Sequence, residues 1–586
     1  MKRLLCLTAA LYLCVTPSIA AEVKADGAGA RALTSYDSRF HPVIAKHGMV
    51  SAQDRIAAEV GRDILARGGN AVDAAVATGF ALAVTHPQAG NLGGGGFMVV
   101  HLADENKQIT IDFREMAPSR ASRDMFIGPD GEVDNARAQY SHLSAGVPGT
   151  VMGMLDALDA YGTMTRREVI GPAAILADRG FDMPYALVDS LNGHREEFSA
   201  DPSSLKYFFK AGGVSYAPGE RFKQKDLAQT LRRIIKKGSD GFYTGETADL
   251  IVSEMAKGGG LMTYEDLNSY KTVMREPVRG NYKGYEIVSM PPPSSGGVHV
   301  IQMLNMLSQF DLKADGHNSA AYLHKLTEAM RRAFADRSKF LGDPDFADVP
   351  TQDLIDPGYN AAQASSINLD LASKSKDIAP AVSMPYESPQ TTHYSVIDKH
   401  GNAVAVTYTL NFSYGSGYTV DGAGFLLNNE MDDFSAKPGA PNGYGLIGGA
   451  ANAIEPGKRP LSSMTPLIVT KDGKAVLVTG SPGGSTIINS VLQMVLNVIE
   501  WDMNLAQATA MPKIHHQWLP DVVVVEPGIN IDTLRALEAR GFNLVKNENG
   551  GFATTVIGRV NSVAQGEGFV FGAADPRGPK SAAIGH

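Results

Sequence analysis

A stretch near the middle of the chain, residues 390–411, carries paired threonines where an ordinary hairpin needs none. Its sequence, QTTHYSVIDKHGNAVAVTYTLN, has two runs typical of β-strands on either side of a turn. If the turn spans 398–402, Thr391 lies opposite Thr409, and Asn411 is the diagonal neighbour on the same face. Side chains that face each other across a strand pair are close enough for hydroxyl contact. This spacing fits either a hydroxyl nucleophile with an orienting partner or a plain cross-strand threonine pair.

Signatures of several other chemistries are missing from the sequence. There is no Walker loop, no HExxH, no GxSxG and no convincing cysteine nucleophile. The glycine clusters do not show GxGxxG between a strand and a helix, so they do not indicate a nucleotide site. His515 and His516 are adjacent and would point to opposite faces of an extended chain, which argues against a shared metal. We therefore expect no metal and no cofactor.

The elements that must position the hairpin alternate between helices and strands. The stretch 226–238, DLAQTLRRIIKKG, has apolar residues on one helical face and Asp226 at a cap position. Runs typical of strands occur at 96–103 and 475–481. The segment 371–390 is polar, contains proline and lacks an apolar period, so it is interpreted as an exposed tether. The pattern predicts helices that cover sheets, and a strand that begins directly after a loop.

Seven stretches together resemble the γ-glutamyltransferases, also called glutathione hydrolases. In chain order they are NLGGGGFM (91–98), DFREMAP (112–118), SAGVPGT (144–150), QTTHYSVIDKHGNAVAVTYTLN (390–411), LLNNEMDDFS (426–435), KRPLSSMTP (458–466) and TGSPGGS (479–485). The resemblance covers essentially the whole mature chain. It implies an N-terminal-nucleophile hydrolase, which is a four-layer αββα sandwich made as a precursor that cleaves itself.

By this resemblance the cut lies between Gln390 and Thr391. Residues 21–390 would then form a large chain and 391–586 a small chain, and the two would stay together as a heterodimer. A threonine hydroxyl needs an adjacent base to act as a nucleophile. The free α-amino group of a new terminus has a reference pKa of about 7.7, close to working pH. The freed Thr391 would therefore supply both nucleophile and base, with Thr409 orienting it.

The resemblance also implies which residues read the substrate. A γ-glutamyl group presents a carboxylate and an ammonium on one carbon, and a guanidinium fork with hydroxyl donors suits the carboxylate. Glycine backbone N–H groups can approach a developing oxyanion because no side chain intervenes. The implied residues are Arg114, Ser462 and Ser463 for the carboxylate, Asn411, Glu430 and Asp433 for the ammonium, Gly483 and Gly484 for the oxyanion, and Tyr444 as the cap in a lid loop at 438–449.

Three functions are weighed on this basis. The first is transfer of the γ-glutamyl group of glutathione or other γ-glutamyl compounds to water, an amino acid or a peptide. The second is a glutaryl (cephalosporin-type) acylase on the same scaffold, against which Asp433 argues because a glutaryl group has no ammonium. The third is a non-catalytic exported binding protein, against which the intact Gln390–Thr391 pair, Thr409 and the glycine pair argue. The first is the leading hypothesis.

The first twenty residues have the features of a signal peptide. Lys2 and Arg3 precede the apolar run LLCLTAALYLCV, and the small-x-small triplet 18–20 forms a cleavage site. We therefore expect a mature chain that is exported to the periplasm or the medium, without a membrane anchor. Both cysteines, Cys6 and Cys14, fall inside this leader, so no disulfide is expected. The net charge of −9 gives no indication of nucleic-acid binding.

Overall fold

The structure is a computed structural model. It describes residues 38–378, 391–566 and 568–586. The expected signal peptide, residues 1–20, and Gln390 lie outside the described residues, whereas Thr391 lies inside them.

The described strands, numbered in chain order, are β1 Val43–Ala45, β2 Gly48–Ala52, β3 Gly95–Leu102, β4 Lys107–Phe113, β5 Phe181–Asp182, β6 Arg221–Phe222, β7 Val273–Arg275, β8 Val278–Tyr282, β9 Tyr285–Ser289, β10 Thr392–Asp398, β11 Ala403–Thr409, β12 Leu467–Lys471, β13 Lys474–Thr479, β14 Ile514–His515, β15 Val524–Val525, β16 Asn561–Gly566, β17 Phe569–Ala574 and β18 Ala582–Gly585. Two seven-stranded sheets hold most of them. The first has the order β18-β2-β10-β11-β3-β4-β7, and the second has the order β1-β17-β16-β13-β12-β9-β8.

The described α-helices flank these sheets. Their bounds are Arg55–Ala66, Ala71–Thr85, Asn135–Gln139, Thr150–Tyr161, Arg166–Arg179, Tyr185–Gly193, Arg195–Ser199, Pro202–Phe208, Lys225–Lys237, Asp240–Tyr243, Gly245–Gly258, Tyr264–Ser269, Gly296–Leu307, Leu312–Asp315, Ala320–Phe340, Thr351–Ile355, Pro357–Ser365, Ser375–Ile378, Thr486–Ile499, Leu505–Ala510 and Ile531–Ala539. In the described part of the chain, none of them combines the length and the apolar character that a membrane crossing requires.

Three hydrophobic cores define four layers. The inner core lies between the two sheets and takes Met49, Val99 and Ile397 from the first sheet and Ile468 and Val563 from the second. Alternate residues of β10 and β11 point the other way, into a core formed with the helices that cover the first sheet. A third core joins the second sheet to the helices on its own outer face. The layers run helix, sheet, sheet, helix, which confirms the predicted αββα sandwich.

The hairpin of β10 and β11 occupies the centre of the first sheet and has the predicted register. Thr392 pairs with Tyr408 and Ile397 with Ala403, so one more step places Thr391 opposite Thr409. The Asp398 carboxylate holds the turn by accepting from the backbone N–H of Asn402 at 3.0 Å. It also accepts from the N–H of Ala71 at 3.0 Å, which ties the turn to the start of a covering helix.

Two sequence expectations about local structure are wrong in detail. The predicted helix at 226–238 begins at Lys225, and Gln224 is its N-cap. Asp226 therefore lies in the first turn, where its negative charge interacts favourably with the positive end of the helix dipole. The segment after Asp370 is not entirely an exposed tether. Ser375 is buried, and its backbone is held by the Asp521 carboxylate and by the indole N–H of Trp518, at 2.9 Å each. Residues 379–390 lie outside the described residues.

Candidate active site

A single cavity brings together residues that are far apart in the sequence. It is lined by Arg114, Thr391, Thr409, Asn411, Glu430, Asp433, Tyr444, Leu446, Ser462, Ser463, Met464, Gly484 and Ile487. Every catalytic and substrate-binding residue predicted from the sequence lines it except Gly483, the chain neighbour of Gly484. The cavity measures about 20 Å³, which is room for a single water molecule.

Thr391 and Thr409 stand at the open end of the central hairpin. Thr391 directly precedes β10 and is buried, and Thr409 is the last residue of β11. The Thr409 hydroxyl oxygen accepts from the backbone N–H of Asn411 at 2.9 Å. The Thr409 carbonyl accepts from the side-chain amide of Asn91 at 2.8 Å, and the Asn91 oxygen accepts from the Thr150 hydroxyl at 2.7 Å. Both the backbone and the side chain of Thr409 are therefore held in place.

The glycine run at 93–96 allows the backbone of β3 to reach the hairpin. A Cβ on Gly94 would lie 2.0 Å from the carbonyl oxygen of Thr409, and one on Gly96 would lie 2.4 Å from that of Thr407. No side chain fits at such a separation. The run is thus required by close packing behind Thr409, and it supplies no side chain to the chemistry.

The Gly483–Gly484 turn lies at the start of a long helix. Both residues have positive φ, 139° and 53°, and the helix Thr486–Ile499 begins two residues later. A Cβ on Gly483 would lie 2.4 Å from the Thr486 hydroxyl oxygen. Backbone N–H groups at a helix N-terminus carry partial positive charge and suit a negative oxygen. Gly484 of this turn lines the same cavity as Thr391, so the turn brings a helix N-terminus to the cavity wall.

Arg114 lies at the centre of a buried charge cluster, directly after β4. One guanidinium nitrogen contacts Glu430, the other lies 2.5 Å from Asp433, and Nε donates to the Pro460 carbonyl at 3.1 Å. A carboxylate oxygen of Glu115 lies 3.5 Å from the guanidinium. The predicted carboxylate clamp is thus paired with two residues predicted to meet the ammonium. Burial opposes the charge on Arg114, but these carboxylates outweigh it, so the pKa of Arg114 is raised.

The same burial changes the titration of the two glutamates. It raises the pKa of Glu115 to about 7, although Arg114 opposes the shift. Burial also raises the pKa of Glu430 well above its usual value, against the pull of Arg114 and with the help of Glu115 and Asp433. Among the described residues, the second carboxylate oxygen of Glu430 has no hydrogen-bond partner. The cluster therefore holds more acid than one guanidinium can neutralise.

Ser462 and Ser463 are held by their backbones and by a second buried arginine. The Ser462 carbonyl accepts from the hydroxyl of Ser295 at 2.8 Å. Arg337, on the helix Ala320–Phe340, donates to the Ser463 hydroxyl oxygen at 3.2 Å and to the Ser295 hydroxyl oxygen at 3.0 Å. Burial lowers the pKa of Arg337 to about 10. Arg337 thus adds positive charge behind Ser462 and Ser463.

Tyr444 lines the cavity from the loop at 438–449. Its hydroxyl donates to the Asn411 carbonyl at 2.6 Å, and its ring meets that of Phe412 edge-on at 5.3 Å. Asn442 links the loop to the site, because its side-chain amide donates to Asp433 at 3.1 Å. The loop is therefore fastened both to the hairpin end and to the acidic cluster.

Sequence reasoning missed three residues around the site. Asn91 lies in the stretch 91–98 beside the glycine run, and Glu115 lies in the stretch 112–118 beside Arg114. Both stretches belong to the family resemblance, and this position in the sequence could have identified the two residues. Arg337 lies on an amphipathic helix and carries no such signal. Among residues 38–378, 391–566 and 568–586, no three His, Cys, Asp or Glu side chains are grouped so as to hold a metal ion.

Comparison with known proteins agrees with this geometry. The family model for gamma-glutamyltranspeptidase matches residues 57–585. The glutathione hydrolase proenzyme of Escherichia coli (strain K12) is 52% identical over 539 residues, which is 92% of each chain.

Two solved structures are similar as well. A cephalosporin acylase from Bacillus halodurans superimposes with a TM-score of 0.81 at 27% identity, covering 94% of this chain and 98% of its own. The gamma-glutamyltranspeptidase of Helicobacter pylori has a TM-score of 0.55 at 45% identity, covering 59% of this chain and 97% of that chain. With the family model matched across nearly all of its described length, the chain belongs to the gamma-glutamyltranspeptidase family.

Proposed function

We propose that this protein is a self-processing γ-glutamyltransferase that cleaves glutathione and related γ-glutamyl compounds. The observation that carries the proposal is the position of Thr391. It stands at the head of a central strand, in one small cavity with a buried guanidinium, three nearby carboxylates and a glycine turn at a helix N-terminus. These are the groups needed to attack an amide while its zwitterionic end is held.

The proposed processing step uses the Thr391 hydroxyl on the preceding peptide bond. Its oxygen attacks the Gln390 carbonyl carbon, the C–N bond breaks, and the proton moves to the departing Thr391 nitrogen. The resulting ester is hydrolysed by water, which leaves a carboxylate on Gln390 and a free amine on Thr391. The Gly483–Gly484 turn is proposed to stabilise the oxyanion of this step and of the later ones.

The proposed transfer reaction repeats the attack on a substrate. The free amine accepts the hydroxyl proton of Thr391, and the oxygen attacks the γ-carbonyl carbon of the bound γ-glutamyl group. The departing amine takes the proton, and a γ-glutamyl ester remains on Thr391. Water then gives glutamate, whereas the amine of an amino acid or peptide gives a new γ-glutamyl amide.

Substrate binding is proposed to exchange the internal ion pairs for external ones. The substrate carboxylate takes the place of a protein carboxylate on Arg114, with Ser462 and Ser463 adding donors. The substrate ammonium takes the place of the guanidinium on Asp433 and meets the unpartnered oxygen of Glu430. Because both charges of the zwitterion find partners, no buried charge is stranded. This exchange supports a γ-glutamyl group over a glutaryl group, although an acylase of similar fold is known.

The export of the protein and its composition of two chains belong to the same proposal. The expected signal peptide supports export, and the interleaved strands support a heterodimer of residues 21–390 and 391–586 after processing.

Analysis of the purified protein on a denaturing gel tests the central claim. Two bands are expected, the smaller beginning at Thr391, together with release of glutamate from glutathione. Thr391→Ala should stay a single inactive chain because no hydroxyl is left to attack Gln390. Thr392→Val is the matched control, since it removes the neighbouring buried hydroxyl and should still be cut. Two bands from Thr391→Ala would refute the mechanism.

A further inference from the structure

A second cavity, larger than the active site, lies in another part of the molecule. It measures about 320 Å³ and is lined from the end of the helix Ala71–Thr85, the helix Tyr185–Gly193 and the turn at 578–581. Such a volume is typical of pockets for small organic molecules and exceeds what one ion or a few waters occupy. The cavity shares no lining residue with the pocket of Thr391.

Several polar atoms of this cavity's walls have no hydrogen-bond partner among the described residues. They are both ring nitrogens of His86, Oε1 of Gln53, Nε of Arg559 and Oγ of Ser581. His86 and Gln53 are 3% and 5% exposed, so solvent does not compensate them freely. Buried polar groups in native proteins are nearly always satisfied, and an unsatisfied one is costly. A polar ligand in this cavity would supply the missing partners.

The charges around the cavity indicate the sign of that ligand. Lys580 and Arg559 line the wall, and burial lowers the pKa of each, with Asp54 opposing the shift of Lys580 and Arg577 adding to that of Arg559. The Lys580 ammonium lies 3.5 Å from Asp54 and donates to the Thr85 carbonyl at 3.2 Å, while Asp575 attracts Arg559 from behind. An anion between the two cations would stabilise both of them.

The remaining groups call for a donor on the same ligand. Oε1 of Gln53 can only accept, and Asp189, an exposed acid on the helix Tyr185–Gly193, lines the cavity as well. Burial, with Lys580 and Arg559 nearby, lowers the pKa of His86 well below its usual value. Neutral imidazole offers one donor and one acceptor.

We propose that this cavity is a binding site for a small carboxylic acid that also carries an amine, with a free α-amino acid as the simplest member of the class. The carboxylate lies between Arg559 and Lys580, and the amine faces Gln53 and Asp189. The site is separate from the catalytic pocket, and such a ligand takes no part in the γ-glutamyl chemistry proposed there.

Its position gives such a ligand a route to influence catalysis. The backbone N–H of Arg559 donates to the Ser481 hydroxyl oxygen at 3.0 Å, two residues before the Gly483–Gly484 turn. On another wall, Ser413 lies two residues after Asn411, a lining residue of the catalytic pocket. Two short connections therefore link the cavities: one runs from Arg559 through Ser481 to the glycine turn, and the other runs from Ser413 to Asn411.

Calorimetric titration of the full processed protein tests the site with three probes, namely glycine, acetate and methylammonium. Glycine is expected to bind more tightly than either of the others, because only glycine satisfies both sides of the cavity. Arg559→Gln and Gln53→Leu should each weaken glycine binding by about tenfold or more, since each removes a hydrogen bond to a charged group. Thermal melting confirms that each variant is folded, and two variants are used so that one can fail.

Arg535→Gln, which changes an exposed arginine, is the matched control and should bind glycine like the wild type. The proposal is overturned if the wild type binds no glycine, which would leave the cavity to water. It is also overturned if neither folded variant weakens glycine binding, because every bound glycine would then sit elsewhere. Equal binding of acetate and glycine would overturn the assignment of the amine.

Discussion

At the scale of single residues, Arg114 decides how charge is shared in the pocket. Its fork reaches two carboxylates in different directions, Glu430 and Asp433, while its Nε is fixed on the Pro460 carbonyl. A planar group with donors on three nitrogens can do this, and a lysine ammonium cannot. The position therefore requires the planar shape of a guanidinium as well as its positive charge.

Arg114→Lys is expected to weaken substrate binding by roughly 2–5 kcal/mol, because a single ammonium leaves a buried carboxylate without its partner. Self-cleavage should continue. The measurement is the KM for glutathione together with the two-band pattern. Arg535→Lys is the control, at an exposed position. Normal KM in Arg114→Lys would show that Arg114 does not hold the substrate carboxylate.

Asp433→Asn is expected to move selectivity from γ-glutamyl toward glutaryl amides. In the wild type, a glutaryl group leaves Asp433 without an ammonium, at a cost of roughly 2–5 kcal/mol for a buried charged pair broken on one side. Asparagine keeps the shape and removes that charge, although Glu430 retains part of the preference. The measurement is the ratio of kcat/KM on γ-glutamyl and glutaryl anilides, with exposed Asp532→Asn as control. An unchanged ratio would mean that Asp433 does not read the amine.

Glu115→Gln is expected to change how stability depends on pH. The folded-state pKa of Glu115 is raised from 4.5 to about 7, so between these values the folded protein keeps a proton that the unfolded chain has released. Wild-type stability therefore falls as pH rises through this window, by up to about 3 kcal/mol from this group. The Tm of Glu115→Gln minus that of the wild type should rise from pH 4.5 to 7 and then level off. Exposed Glu548→Gln should show no such trend; a flat difference for Glu115→Gln would contradict the assignment.

At the scale of elements, the glycine run of β3 sets how closely two strands approach behind the nucleophile. Gly94→Ala would push a methyl group to 2.0 Å from the Thr409 carbonyl, so β3 or the hairpin must shift. A displacement of about 1 Å at a reacting group costs on the order of a hundredfold in rate. Both self-cleavage and turnover should slow, measured by timed gels and glutathione hydrolysis. Gly171→Ala, where a Cβ meets open space, is the control and should behave as wild type.

The hairpin shows which structural features can be predicted from sequence. Its register follows from a short turn and from the period of two along each strand, so the partner of Thr391 was predictable. The pairing of Arg114 with Glu430 was not, because it joins residues 316 apart and depends on rotamers in a closed pocket. For the same reason, the second cavity has no sequence signal, since its walls come from six separate stretches of the chain.

At the scale of the whole molecule, the proposed cut divides a chain whose two parts share both sheets. In the first sheet, β18, β10 and β11 come from residues 391–586; β2 lies between β18 and β10, and β3, followed by β4 and β7, lies beside β11, all four from the part before the cut. In the second sheet, β1 lies beside β17, and β12 beside β9. The interface between the two chains is therefore the protein core itself, without a surface along which they could separate.

The two chains are accordingly expected to elute together in native size-exclusion chromatography, even at high salt, because salt screens exposed charges and leaves apolar cores intact. They should separate only in denaturant. The uncut Thr391→Ala variant is the control and should elute at the same volume. Two native peaks for the processed protein would contradict the interleaved arrangement.

This interleaving also changes the molecularity of unfolding. Before the cut, one chain folds and unfolds in a unimolecular equilibrium. Afterwards the denatured state is two independent chains, so the melting midpoint depends on protein concentration and refolding requires a bimolecular encounter. Each partner, alone, exposes the strand edges that the other would cover, which favours aggregation over reassembly. The mature enzyme is then protected by a high barrier to unfolding, because it does not refold readily once its chains separate. The cleavage that activates it also removes the single-chain route by which it folded.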